Sequence, residues 1–243
     1  MINLSKADET ATIDLTKGSN ELLVQAQWTD NGDGQDNDDL DLRCSILMPD
    51  ELQYLVDGAY PGSLTELPFV KHHGDVQSAS LDAPGEERIT VARDIAKRMG
   101  GPVALCFSVY SALANGAVAV ATLRPRMTMS FGSQKVVCEY DFTKDPGANV
   151  DGIYTYVIGY AIVTEDEVIL APSGKTASPG TENTAWLSWH GTSIDLNLNG
   201  PAVFKGAQAS QAAKYNAKNN ITKRFANIPD AGAKKSLFGK LFS

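Results

Sequence analysis

The 243-residue chain is 43% apolar with a net charge of −8, enough apolar material for one large core or two small ones, so disorder of the whole chain is excluded. No apolar run reaches the roughly 18 residues of a membrane-spanning helix, and the stretch from Met1 to Leu15 has no basic start followed by an apolar run, so no secretory signal is expected. The charge is divided: residues 205–243 hold eight Lys or Arg and one acid, Asp230, while the remainder holds 13 basic and 28 acidic residues, a body that repels nucleic acid and phosphorylated substrates but not cations.

In chain order, Leu22, Val24, Ala26 and Trp28 alternate with Leu23, Gln25 and Gln27, a half-buried strand over 21–28. Strands are also expected over 40–48, over 87–94 with Ile89 and Val91 on one side, and over 103–110. The run 116–123 is apolar enough for a central strand, joined to 103–110 by a turn containing Asn115-Gly116. Residues 135–142 place Val136, Cys138, Tyr140 and Phe142 on one face. In 153–164, Gly159 predicts a bulge or a close approach. A last hairpin is expected across His190-Gly191. No helical period precedes residue 205, so residues 1–204 predict an all-β, two-sheet sandwich. Residues 205–243 predict a basic amphipathic helical tail, with Ala209, Ala213, Ala217, Ile221 and Phe225 as its stripe and Pro229 as its stop.

Cys44, Cys106 and Cys138 are odd in number, widely spaced and set in apolar runs. Buried free thiols in a reducing compartment follow, with the cytoplasm as the location. Ser173-Gly174-Lys175-Thr176 ends like a phosphate loop, but Ile169 stands where its first Gly belongs. Residues 32–37 begin like a dinucleotide fingerprint and end on Asn37, with acids that would repel a pyrophosphate. His72 and His73 are adjacent, so on a strand they point to opposite faces and are poor joint zinc ligands.

The acids remain. Residues 30–41, DNGDGQDNDDLD, contain six Asp and no basic residue. Carboxylates two apart on a strand share a face, and hard cations such as Ca²⁺ need six to eight oxygens. Asn37, Asp39 and Asp41 have that spacing, as do Asp36 and Asp38 on the opposite parity. A second acidic stretch, 74–87, offers Asp75, Asp82, Glu86 and Glu87 just before a strand. An ion-free, solvated loop is the alternative for each stretch.

Residues 15–28 followed by an acidic loop and Asp39-Leu40-Asp41 resemble the opening of the TerD family, the bacterial tellurium-resistance and stress-response proteins. Leu15, Lys17 and Gly18 fit its Leu-x-Lys-Gly, and Trp28 fits the strand end, with Gln27 in place of Gly. Asn37 stands where the first Asp of the family's Asp-x-Asp-Leu-Asp would be. Gly74-Asp75 and Glu86-Glu87 match the ends of the family's second acidic stretch, while Val76 replaces its Asn and 77–84 replaces its Gly-rich run. The resemblance spans 11–204. It implies a sandwich that binds Ca²⁺ at its acidic loops, with Asp39, Asp41, Asp75, Glu86 and Glu87 carried over as ligands and one of two ion sites degraded. It also implies a non-enzymatic role in stress defence near the inner face of the membrane, among protein partners of a stress-response complex. Two other functions compete: an adaptor that binds an anionic membrane surface through 205–243, and a thiol enzyme acting on oxyanions through Cys44, Cys106 or Cys138.

Overall fold

In a computed structural model, residues 1–35, 38–76, 79–80, 82–113, 116–144, 150–202 and 209–228 are described. The strands, in chain order, are β1 (Ile2–Leu4), β2 (Ala11–Asp14), β3 (Glu21–Trp28), β4 (Asp41–Leu47), β5 (Gln53–Val56), β6 (Gly62–Ser63), β7 (Val70–His72), β8 (Gly85–Ala92), β9 (Val103–Tyr110), β10 (Arg126–Phe131), β11 (Gln134–Cys138), β12 (Thr155–Val163), β13 (Glu167–Pro172), β14 (Trp186–His190) and β15 (Ser193–Asn197). The helices are α1 (Ile95–Met99) and α2 (Ala209–Lys218). One sheet has the order β1-β11-β10-β3-β8-β7-β6, the other β2-β13-β12-β9-β4-β5, and β14-β15 form a separate hairpin. The pairing is antiparallel apart from β1 with β11.

The alternation of β3 determines which way it faces. Leu22, Val24, Ala26 and Trp28 are fully buried and join Leu42, Cys44, Ile46, Leu105 and Phe107 from the second sheet in one core. This is the half-buried strand that a period of two requires. Gly159 marks the expected irregularity, because the register of β12 against β9 shifts between Val157 and Gly159. A Cβ there would stand 2.8 Å from Met127 Cε and 2.9 Å from Ala171 O.

Three expectations change. Residues 116–123 are not a central strand: Val120–Leu123 form a 3-10 turn, and Asn115 lies outside the described residues. Ala117, Ala119 and Ala121 supply no β-branched surface to hold a strand, whereas Val120 and Leu123, three apart, both enter the core. Leu123 O then accepts the N–H of Thr29 at 2.9 Å, which ties the turn to the loop after β3. The run 135–142 leaves the sheet at Cys138 and ends in a 3-10 turn at Phe142–Lys144. A helix does precede residue 205: α1, one turn long, closed by Gly100 at φ +71°.

Residues 209–228 dock on the sandwich. The helix ends at Lys218 rather than running on towards Pro229, which lies outside the described residues. Asn220, at φ +56°, breaks it. Its buried positions are Ala212 and Asn216, one off the apolar stripe, because polar bonds seat it: Asn216 Oδ1 accepts from Ala202 N at 2.9 Å and its Nδ2 donates to Ala202 O at 3.0 Å. Beyond it, Ile221, Phe225 and Ile228 pack on Leu55. Phe225 bridges Gln53 in parallel, and Asn227 bonds both the N–H and the C=O of Leu55, so this segment covers the β5 edge. The β14-β15 hairpin covers the rest of that outer face, with Leu187 over Cys106 and Val157 and with Trp189 Nε1 donating to Met48 O.

Candidate metal centre

Trp28 closes one end of the sandwich. Its indole Nε1–H donates to Asp38 O at 2.8 Å, which pins the far end of the acidic loop to the strand that begins it. The ring fits because residue 85 is glycine: a Cβ there would lie 2.2–2.5 Å from the indole. The early acids of the loop form turns. Asp30 Oδ1 accepts from Gly32 N–H and Asp33 Oδ1 from Gln35 N–H, at 2.5 and 2.8 Å, and both side chains stay at the surface. The late acids are buried: Asp38, Asp39 and Asp41 are 2%, 4% and 5% exposed.

Burial pushes the Asp38 carboxyl above the usual aspartate range, helped by the nearby charges of Asp30 and Asp33 and opposed by the Asn31 N–H that it accepts. Its Oδ1 is buried without a hydrogen bond among the described residues. A raised pKa means that the folded state holds the proton more tightly than the unfolded chain, so the charged form destabilises above the folded pKa and the penalty fades as pH falls through it. Asp38→Asn is therefore expected to raise the melting temperature at neutral pH in excess chelator. The gap to wild type should close as the pH falls into the ordinary carboxylate range; a gap independent of pH would refute the assignment.

The second acidic stretch is split by its pleat. Glu87 faces inward and Glu86 outward, where Glu86 binds Gln25 Nε2, Gln27 Nε2 and Arg88 Nε. Glu86 therefore does not reach the late acids, contrary to its expected role as a ligand beside them. Glu87 crosses between the sheets: Oε2 accepts from Leu42 N at 2.6 Å and lies 3.2 Å from His72 Nε2, and Oε1 accepts from Val76 N at 3.0 Å. His72 Nδ1 accepts from Gly74 N, so Nε2–H is the donor to Glu87. The carboxylate thus ties the second loop to the start of β4. Asp82 is exposed. Asp75 is exposed too and lies against Gly58, beside buried Asp57. Asn37 lies outside the described residues.

A buried guanidinium, Arg43, occupies the outer face of β4 two residues beyond Asp41. It stacks 3.8 Å over the Tyr110 ring, and its Nη1 and Nη2 donate to Glu182 O (2.8 Å) and Thr155 Oγ1 (3.3 Å). Burial pulls its pKa down, while Tyr110, Asp57, Asp41 and Glu182 hold it up. Asp57 caps its own turn through Ala59 N and Tyr60 N, and Glu182 accepts from Leu113 N. On the other side of the loop, a groove of about 880 Å³ runs past Trp28, Asp30, Arg124, Tyr140 and Phe142. Among the described residues, no three His, Cys, Asp or Glu side chains converge as a ready-made metal cage.

No family model and no curated protein matches this chain.

The three cysteines are free and buried, as their apolar settings predicted. Burial pushes the Cys44 and Cys106 thiols well up and Cys138 up to about 12. His73 turns outward to Thr90 and His72 inward to Glu87, the opposite faces expected of neighbours. Sequence reasoning missed Arg43, Asp57 and Glu182. Arg43 had a signal, a lone charge inside an otherwise apolar strand; Asp57-Gly58 after a strand suggests only a turn, and Glu182 has no local signal.

Proposed function

We propose that this protein is a non-enzymatic module that binds a divalent cation, Ca²⁺ above others, and that the ion orders the acidic loops at one end of the sandwich. One observation carries the reading: among the described residues six carboxylates are buried (Asp38, Asp39, Asp41, Asp57, Glu87 and Glu182) and only one guanidinium, with no buried lysine. Buried carboxylates are costly without opposite charge or hydrogen bonds. Three of them, Asp38, Asp39 and Asp41, lie within four residues of one another at the end of the acidic loop, so a cation placed there would stabilise them together. Oxygen donors in a loop suit a hard ion of flexible coordination. The TerD-like motifs over 15–41 add the role: a cytoplasmic stress-response or tellurite-resistance scaffold at the inner face of the membrane. The buried, weakly acidic thiols count against the thiol-enzyme alternative. Among the described residues no helix is long and apolar enough to cross a membrane.

A melting curve tests the binding. At free Ca²⁺ about 100-fold above Kd, mass action adds about 2.7 kcal/mol, roughly a 5–10 °C rise for a chain of this size. Metal-stripped protein should show that rise in CaCl₂ relative to excess chelator, and Asp39→Ala with Asp41→Ala should abolish it. Coincident curves for the wild type in the two conditions would rule the reading out.

A further inference from the structure

We propose that the groove of about 880 Å³ beside the acidic loop is a binding site for a small aromatic monocarboxylate, whose flat body lies against Trp28, Tyr140, Phe142 and Tyr156 and whose carboxylate is held by Arg124 and Arg126. The inference goes beyond the cation reading and does not rest on it.

The aromatic wall is held in place from several sides. The rings of Phe142 and Tyr156 meet at 4.6 Å between centroids, tilted by 35°, and Tyr156 Oη donates to Tyr140 O at 2.8 Å, which ties the pair to the chain beyond β11. Two glycines make room for the other two rings. A Cβ at residue 85 would lie 2.2 Å from the Trp28 indole, and one at residue 174, where φ is +67°, would lie 2.1 Å from the Tyr140 ring. Gly174 belongs to the run Ser173-Gly174-Lys175-Thr176, so the glycine of that run makes room for a groove wall. The groove volume falls within the range of small-molecule sites, roughly 300–1,000 Å³, which are mostly apolar with a few convergent polar groups.

The rim supplies the polar groups. Arg124 follows the 3-10 turn Val120–Leu123 in the left-handed region, at φ +48°, directly before Pro125. A Cβ and a following proline both disfavour that conformation, which glycine adopts more readily. Strain of this kind persists where the surrounding structure enforces it, and it clusters at ligand sites. The Arg124 side chain is exposed, lines the groove and makes no ion pair among the described residues. Arg126 is aimed by Gln27 Oε1, which accepts from its Nε at 3.1 Å, and its Nη1 lies 3.5 Å from Glu139 Oε1. Guanidinium groups bind carboxylates in plane through paired N–H bonds. Asp30, Glu139 and Asp141 also line the groove, and Lys144 pairs with Asp141. Those acids disfavour a dianion such as a phosphate monoester, so a single carboxylate is the anion that fits.

The test is calorimetric titration of the full chain with 1-naphthoate in excess chelator, which keeps the outcome independent of the proposed cation. Wild type is expected to bind with a Kd on the order of 1 mM or tighter, and the uncharged 1-naphthamide about tenfold more weakly. The amide NMR resonances of Thr29, Tyr140 and Thr143, which line the groove, should shift on binding. Arg124→Gly should weaken 1-naphthoate about tenfold and, by relieving the left-handed backbone, raise the melting temperature by about 2 °C. Arg98→Met, which touches the Asp94 pair on α1 and not the groove, should bind as wild type does. No binding of 1-naphthoate by wild type, equal affinity for the acid and the amide, or tighter binding of 1-naphthyl phosphate than of 1-naphthoate overturns the proposal. So does a folded Arg124→Gly with wild-type affinity. If Arg124→Gly does not fold, Arg124→Met reads the same loss of affinity.

Discussion

Replacing Glu87 by Ala is expected to cost about 3–5 kcal/mol of folding stability, because it strips a buried acceptor from three donors at once. Leu42 N–H, Val76 N–H and His72 Nε2 all depend on that one carboxylate. Leu42 begins the central part of β4 and Val76 belongs to the second acidic loop, so the damage should concentrate at the end of the sandwich where the acids lie. Chemical denaturation measures the total, and hydrogen exchange at the Leu42 and Val76 amides locates it. Glu87→Gln keeps one acceptor oxygen and should lose less than half as much. A cost under about 1 kcal/mol for Glu87→Ala would show that Glu87 is not the tie between the two loops.

Ending the chain at residue 204 should be nearly as damaging. It uncovers Leu55 by removing Ile221, Phe225 and Ile228, and side chains of that kind are worth about 1.5–3 kcal/mol each when fully buried. It also removes both Asn227 bonds to Leu55 and the Arg224 and Ala226 backbone bonds to Gln53. The expected loss is on the order of 5 kcal/mol, read as a lower denaturation midpoint and a tendency of the opened β5 edge to pair between molecules. A truncated chain as stable as the full one would contradict the docking of this segment. The same packing dictates how the membrane-adaptor alternative should be examined. Lys214, Lys218, Lys223 and Arg224 are exposed on the docked segment, so vesicle co-sedimentation should compare the full chain with one ended after Ile228, which leaves the β5 edge covered. Equal partitioning of those two forms on anionic vesicles removes the contribution of Lys234, Lys235 and Lys240.

Local pattern decided a good deal. The alternation in 21–28 and the unbroken apolar run of 103–110 became β3 and β9 with the expected bounds, Gly159 became a bulge, and the hairpin beyond Ala185 closed across His190 and Ser193. These features are legible because a period of two and a glycine act over a few residues. The burial of the three thiols was legible for the same reason. Residues 116–123 misled because apolar content does not distinguish a buried strand from a buried turn when alanine alternates with the larger residues. The tail misled in its detail because Asn216, not an alanine, seats the helix, and a polar anchor is invisible to apolar periodicity.

For the candidate site, the sequence by itself determined that acids crowd two loops and that His72 and His73 part company. Only the tertiary structure decided which acids are buried. The pleat sends Glu86 to the surface and Glu87 between the sheets, and the sheet order brings Asp57 beside Arg43 and folds Glu182 over them. The physical reason is range. Side-chain alternation is fixed by near neighbours, whereas the burial of a charge depends on segments more than a hundred residues apart in sequence, such as β4 and the segment carrying Glu182, joined by the Arg43 bond to Glu182 O.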